Sequence, residues 1–188
     1  MRKALFIFTV VITMSIQSIY GQDADSESHN LTISFPQVAL LDIESENGTE
    51  VNFAINSSGL EAGEELIIHE EQSELWLNYT SLVASNGTQR SITVESSPLP
   101  DIPGLVISLI AMSHSGTGGG DLGAPTPVII PSSSPTNIIT GIGSAFTGDG
   151  SANGHQLIYY LDFNGNFEDL NVQNGSSTTI SLTYTITD

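Results

Sequence analysis

Apolar and polar residues alternate over short stretches through most of this chain. The clearest stretch is residues 178–187, in which Ile180, Leu182, Tyr184 and Ile186 alternate with Thr or Ser. A period of two residues with β-branched polar partners is typical of a strand that buries one face. We therefore expect a half-buried strand at this end of the chain.

Similar short runs are separated by turn residues elsewhere in the chain. Leu105–Ala111 is the most apolar run beyond the N-terminus and predicts a strand buried on both faces. No stretch sustains the spacing of apolar residues found in an amphipathic helix. Other predicted runs are 31–35, 38–43, 51–55, 66–68, 75–79, 92–94, 128–130, 138–142 and 156–163. The pattern predicts one all-β domain over residues 31–188, an Ig-like β-sandwich of roughly ten short strands.

The N-terminus has a different pattern. Arg2 and Lys3 precede an apolar run that ends near Ile16, and a polar stretch leads to Gly21. A basic start, a short apolar run and a small residue before the cut are typical of a secretory signal peptide. The run is shorter than the ~20 residues that span a membrane. We expect residues 1–21 to be a signal peptide, residues 22–30 to be a disordered acidic segment, and no transmembrane segment after cleavage.

The charge balance excludes one class of partner. The chain has 3 Lys and Arg residues, 21 Asp and Glu residues, and no Cys. Removal of residues 1–21 would leave Arg90 alone against the 21 acids, a formal charge of −20. Binding to nucleic acid requires a basic surface, so we expect no nucleic-acid partner. The absence of Cys excludes disulfides, thiol nucleophiles and Cys-ligated zinc.

Residues 113–127 break the alternation, because they are rich in Gly, Ser and Pro. A phosphate-binding loop is excluded here, since that motif needs a Lys and a following helix. Long stretches of this composition are usually mobile or functional connections. We therefore predict a flexible Gly-rich loop at 113–127.

No catalytic motif is found along the chain. His69-Glu70 begins like a zinc-protease motif, but Ser73 occupies the position of the second His. No G-x-S-x-G nucleophile elbow occurs. We expect that the protein is not an enzyme, and a small secreted hydrolase is the weaker alternative.

One segment has the composition of a calcium loop. Carboxylate and amide oxygens at alternate positions converge on calcium when the backbone curls around the ion, and Gly165 favours a tight turn. A plain acidic turn after the preceding strand is the alternative. The candidate calcium ligands are Asp162, Asn164, Asn166, Glu168 and Asp169.

Trp76 is the sole Trp of the chain and lies out of phase with Leu75 and Leu77. This phase favours the outer face of the sheet, where aromatic side chains stack on sugars or partners, whereas packing in the core is the alternative. Trp76 is therefore a candidate ligand-binding residue. Together with the calcium candidates, it supports an alternative function as a calcium-assisted carbohydrate-binding module.

The two ends of the alternating region carry a family resemblance. Residues 178–188, T-T-I-S-L-T-Y-T-I-T-D, and residues 31–35, L-T-I-S-F, resemble the closing and opening strands of secreted bacterial pilin-like sandwich domains of the spore coat protein U and fimbrial-subunit type. Fimbrial subunits commonly carry a disulfide, which this chain lacks. The resemblance implies that an N-terminal segment completes the sheet of a neighbouring subunit.

These observations predict a secreted structural or adhesive protein that acts through strand edges and loops. Its expected location is the cell surface of a Gram-negative bacterium, the extracellular space or the periplasm. Its expected partners are other surface or fibre subunits, or glycans.

Overall fold

A computed structural model describes residues 25–97, 103–165, 167–170 and 177–187. The predicted signal peptide, 1–21, and the calcium candidate Asn166 lie outside these ranges. The chain divides into two units at the junction between Phe35 and Pro36, and every strand of the described residues belongs to the second unit. The strands are β1 (Val38–Glu44), β2 (His69–Leu82), β3 (Arg90–Ser97), β4 (Leu105–Ala111), β5 (Gly119–Pro125), β6 (Thr136–Phe146), β7 (His155–Phe163) and β8 (Ser181–Thr187).

The eight strands form one antiparallel sheet, so the predicted all-β class is confirmed. The main path of the sheet is β4-β7-β2-β6-β3-β8, with β1 paired to β2 and β5 paired to β6. The long strands β2 and β6 change partners along their length. Strand β2 pairs with β7 over its first half but with β6 only at Thr80 and Ser81.

Alternation of side chains explains where the core lies. Leu75, Leu77 and Tyr79 of β2 point to one face, where they are buried, and the intervening residues point to the other. The same face of β7 carries Leu157 and Tyr159. These side chains share a core with residues of β3, β4 and β6, and β3 is paired with neither β2 nor β7. The other buried members of the cluster are Ile92, Val94, Leu109, Ala111, Ile138, Ile139 and Ile142.

Several predicted strands differ from the structure, which has eight strands in the described residues rather than roughly ten. Residues 31–35 and 51–55 form no regular secondary structure, although Val51 and Phe53 pack against the core. Residues 128–130 contribute only an isolated bridge, between Ile129 and Leu109. Alternation gives each of these segments a strand-like pattern, but a strand also needs a neighbouring backbone along its whole length.

The predicted strands at Leu105–Ala111 and at the end of the chain are present as β4 and β8. In β4, however, only Leu109 and Ala111 are fully buried, so the prediction of two buried faces was wrong. Strand β8 has the predicted single buried face: Leu182, Tyr184 and Ile186 are half-buried, and the Ser and Thr residues are exposed.

Part of the predicted loop at 113–127 is a strand. Residues Gly119–Pro125 form β5, which pairs with β6 and shifts register between Gly120 and Leu122. Gly120 has a φ of 92°, and a Cβ placed there would lie 2.2 Å from the carbonyl oxygen of Ser144. Only Gly fits this approach of one backbone to another. The composition that suggested a loop therefore permits a closely packed strand.

This geometry predicts different costs for two Gly→Ala substitutions. Gly150 also has a positive φ, 85°, but a Cβ there would meet no neighbouring atom within 4 Å. We expect Gly150→Ala to lower the free energy of unfolding by about 1 kcal/mol, because it adds only left-handed backbone strain. Gly120→Ala should cost about 3 kcal/mol, because steric overlap with β6 adds to the same strain.

Urea unfolding of both variants measures the comparison, with Gly150→Ala as the control for backbone strain. Equal losses in the two variants would contradict the close approach of β5 to β6.

Candidate functional site

Trp76 lies on the face of β2 opposite the core. Its neighbours Leu75 and Leu77 are buried, whereas the Trp76 side chain is half-buried. In the register of the sheet, Trp76 is opposite Glu44 of β1 and Gln156 of β7. The out-of-phase position predicted from the sequence therefore places the indole between two polar side chains on the outer face.

Trp76 also lines a surface pocket of about 270 Å³ that we call the Trp76 pocket. Three separate segments build it: the turn after β1, the middle of β2, and the turn between β6 and β7. Its other lining residues are Ser45, Glu46, Asn47, Glu74, Ser151 and Ala152.

Both carboxylates of the Trp76 pocket are in contact with neutral donors. The Nδ2 of Asn47 donates to Oε2 of Glu74 over 3.4 Å, and the Ser151 hydroxyl donates to Oε1 of Glu46 over 3.5 Å. These are long hydrogen bonds, close to the upper limit of such contacts. They orient the two side chains without neutralising their charge.

A second polar group lies at the opposite end of the β2–β7 ladder. The Nδ1 of His69 and the Oδ1 of Asp162 are 2.5 Å apart, and the ring of Tyr160 stacks on His69 with centroids 6.1 Å apart. The hydrogen bond and the negative charge of Asp162 raise the pKa of His69, with smaller contributions from the charges of Glu71 and Glu70. This pair is at the surface, so solvent screens it.

The structure describes four of the five calcium candidates, Asn166 being the exception. Asp162 faces His69, and the backbone N–H of Asn164 donates to the carbonyl of Gly104 over 2.8 Å. Glu168 and Asp169 lie in a 3-10 turn, Phe167–Asp169. Within the described ranges, no group of three or more His, Asp or Glu side chains is arranged to hold a metal ion. Calcium binding stays a prediction.

Trp76 and the calcium candidate Asp162 lie far apart in the sheet. Gln156 is opposite Trp76 and Asp162 is opposite His69, so six residues of β7 separate the two positions. At 3.3 Å per residue this is roughly 20 Å. Trp76 and Asp162 therefore do not contribute to one site.

A buried polar cluster around His155 was not predicted from the sequence. The His155 side chain is 0% exposed. Its Nδ1 donates to the carbonyl of Met112 over 2.8 Å, and its Nε2 lies 3.1 Å from the hydroxyl of Tyr79. That hydroxyl also donates to the carbonyl of Leu122 in β5. The histidines are scattered in the sequence, so no local spacing signals that His114 and His155 lie edge to face, 5.8 Å apart.

Burial controls the protonation of this interior. Removal from water lowers the pKa of His155, and the neighbouring His114 lowers it further, although the hydrogen bond to Met112 acts in the opposite direction. Burial also raises the pKa of Tyr79, and raises that of Tyr159 to about 12. Both effects favour the neutral forms of His155, Tyr79 and Tyr159 at pH 7.

Comparisons with protein-family models, with curated proteins and with solved structures find no match to this chain. The resemblance to pilin-like domains therefore stays a prediction, and inferences about function depend on the geometry. None of the helices in the described residues has the length and apolar character that a membrane span requires.

The buried His155 predicts a loss of stability in mild acid. Its pKa is lower in the folded state than the ordinary value of 6.5, so below pH 6.5 the unfolded chain binds more protons. We expect the midpoint of urea unfolding to fall between pH 7.5 and pH 5.5. His155→Gln should remove much of this fall.

His69 provides a control with the opposite sign. Its raised pKa contributes stability below pH 6.5 that is lost as the pH rises through the folded-state value. His69→Gln should therefore make the loss of stability in acid steeper. Equal pH slopes for the wild type and His155→Gln would contradict the assignment.

Proposed function

We propose that the protein is a secreted structural or adhesive component of a bacterial cell surface. In this proposal, residues 1–21 are a signal peptide and the eight-stranded sheet is folded into a β-sandwich. The sandwich binds other subunits through its strand edges and exposed segments.

The sandwich is supported by contacts between strands that are not neighbours. One half would contain β1, β2, β7 and β4, and the other β5, β6, β3 and β8, joined by the two β2–β6 pairs. The hydroxyls of Tyr159 in β7 and Tyr184 in β8 are 2.7 Å apart. The hydroxyl of Tyr79 in β2 donates to Leu122 in β5. Each bond joins one half to the other across the shared core.

The observation that carries the proposal is an exposed apolar segment that precedes the first strand in the sequence. In residues 31–35, the side chains of Leu31, Ile33 and Phe35 are 80%, 67% and 80% exposed. Thr32 and Ser34 separate them, so the segment has the alternation of a strand without a strand partner. An extended segment of this kind adds to an open sheet edge, where the backbone supplies hydrogen bonds and alternate side chains fill pockets.

Strand β8 is the best acceptor for such a segment. It has one hydrogen-bonded neighbour, β3, within the described residues. Natural edge strands are usually protected by charged residues, Pro or bulges. The sequence of β8, S-L-T-Y-T-I-T, contains neither charge nor Pro, whereas β1 carries Asp42 and Glu44. The other end strand, β4, is also uncharged, but Ile129 already bridges its free side at Leu109. We therefore propose that residues 31–35 of one copy pair with β8 of another.

Sedimentation velocity over a range of concentrations tests this assembly, in about 0.15 M salt to screen repulsion between mature copies, each with one Arg against 21 acids and a formal charge of −20. The mature wild type should form dimers and larger species as its concentration rises. Leu31→Asn with Ile33→Asn should remain monomeric, because both changes remove apolar side chains from the segment. Thr32→Asn with Ser34→Asn is the matched control and should assemble like the wild type. A wild type that is monomeric at every concentration would refute the proposal.

The acceptor edge has a test of its own. Thr185 is exposed on β8, so Thr185→Glu adds a charge to the uncharged edge without entering the core. We expect this variant to assemble several-fold more weakly, because a charged side chain on an edge strand disfavours pairing with another chain. Thr49→Glu makes the same change in an exposed turn and should have no effect. Equal weakening by both variants would point to net charge, not to β8.

A further inference from the structure

We infer that the Trp76 pocket binds an organic cation, the ammonium or guanidinium group of a basic ligand supplied by another molecule. This inference goes beyond the proposed assembly and does not depend on it. The pocket combines an aromatic face with two carboxylates, and its lining contains no basic residue.

Trp76 supplies the aromatic part of the pocket. Trp76 is held in place because Leu75 and Leu77 on either side are anchored in the core. Its half-buried side chain lines the pocket. The indole is the ring that attracts cations most strongly, through the negative potential of its face.

Two carboxylates supply negative charge to the pocket. Glu46 and Glu74 line the pocket, and Glu44 lies opposite Trp76 in the sheet. The hydrogen bonds to Glu46 and Glu74 come from neutral groups at 3.4–3.5 Å and leave the negative charge uncompensated. A cation gains from both the ring and the carboxylates, whereas a neutral sugar uses the ring and an anion is repelled.

Size and charge define the ligand further. A volume of about 270 Å³ is at the small end of ligand sites, which suits a single side chain or amine better than a large ligand. The basic residues of this chain are Arg2, Lys3 and Arg90. Arg90 is 4% exposed and donates to Ser81 and to the carbonyl of Leu82, so it is committed to the interior. Arg2 and Lys3 belong to the predicted signal peptide. A second mature copy of this chain therefore has no exposed Lys or Arg side chain to place in the pocket.

Fluorescence offers a direct test, because Trp76 is the sole Trp. The mature protein, kept dilute enough to be monomeric, is titrated with Nα-acetyl-lysine amide and with Nα-acetyl-arginine amide at constant ionic strength. The neutral Nα-acetyl-norleucine amide has the same four-carbon side chain without the terminal amino group. Butylamine tests whether the cation alone is sufficient, and methyl glucoside tests a neutral sugar. We expect saturable changes in emission with the lysine and arginine compounds, and little change with norleucine amide or glucoside.

Two carboxylate variants make the test specific. Glu46→Gln and Glu74→Gln keep the shape of each side chain and remove its charge, and each should weaken binding of the lysine compound by about fivefold. Glu95→Gln removes the same charge from β3, outside the pocket, and should leave the affinity unchanged. Thermal unfolding confirms that each variant is folded.

The outcomes separate the alternatives. Binding by butylamine as well as by the lysine compound supports a site for amines in general. Binding by the lysine or arginine compound alone supports a site for protein side chains. Equal responses to lysine and norleucine compounds, a response to methyl glucoside alone, or no response to any probe would each overturn the inference.

Discussion

The structure depends on one shared core that replaces covalent cross-links. Twelve buried residues from five strands form a single cluster in a chain that has no Cys. A domain of this size buries enough surface to be stable without disulfides. In this arrangement β2 pairs with β1, β7 and β6, and β6 pairs with β2, β3 and β5. The two pairs between them, at Thr80 and Ser81, therefore connect the two groups of strands.

The same core determines what is presented to solvent. Because Leu75, Leu77 and Tyr79 face inward, Trp76 has to face outward, next to Glu44 and Gln156. The Trp76 pocket is therefore a consequence of strand alternation in β2, completed by two turns. The buried polar cluster at His155 belongs to the opposite face and stabilises the inner packing.

Sequence patterns predicted the strands that combine a long alternation of apolar and polar residues with a neighbouring strand to pair with. Strand β8 and the outward phase of Trp76 are of this kind. Strand β5 was not predicted, because Gly120 and Gly123 have low strand propensity, although they permit close contact between backbones. The segment at 31–35 has the pattern of a strand, yet pattern alone does not supply a partner backbone.

The candidate site was harder to predict than the fold. Glu46, Glu74 and Ser151 are far apart in the sequence, and each is unremarkable by itself. Only the register between β1 and β2, together with the turn between β6 and β7, brings them to Trp76. Local spacing identifies motifs that lie within one segment, such as the calcium candidates, and misses sites built from three segments.

Arg90 is the one Lys or Arg residue beyond residue 21, and this has a consequence for proteolysis. Trypsin-like proteases cleave after Lys or Arg, and beyond residue 21 the chain offers them only the bond between Arg90 and Ser91. That bond lies in β3, where Arg90 is paired with Ile142 and Ser91 with Thr187. Cleavage requires β3 to leave the sheet. The chain is therefore inherently protected from this class of enzyme, and its rate of digestion by trypsin reports how often β3 leaves the sheet.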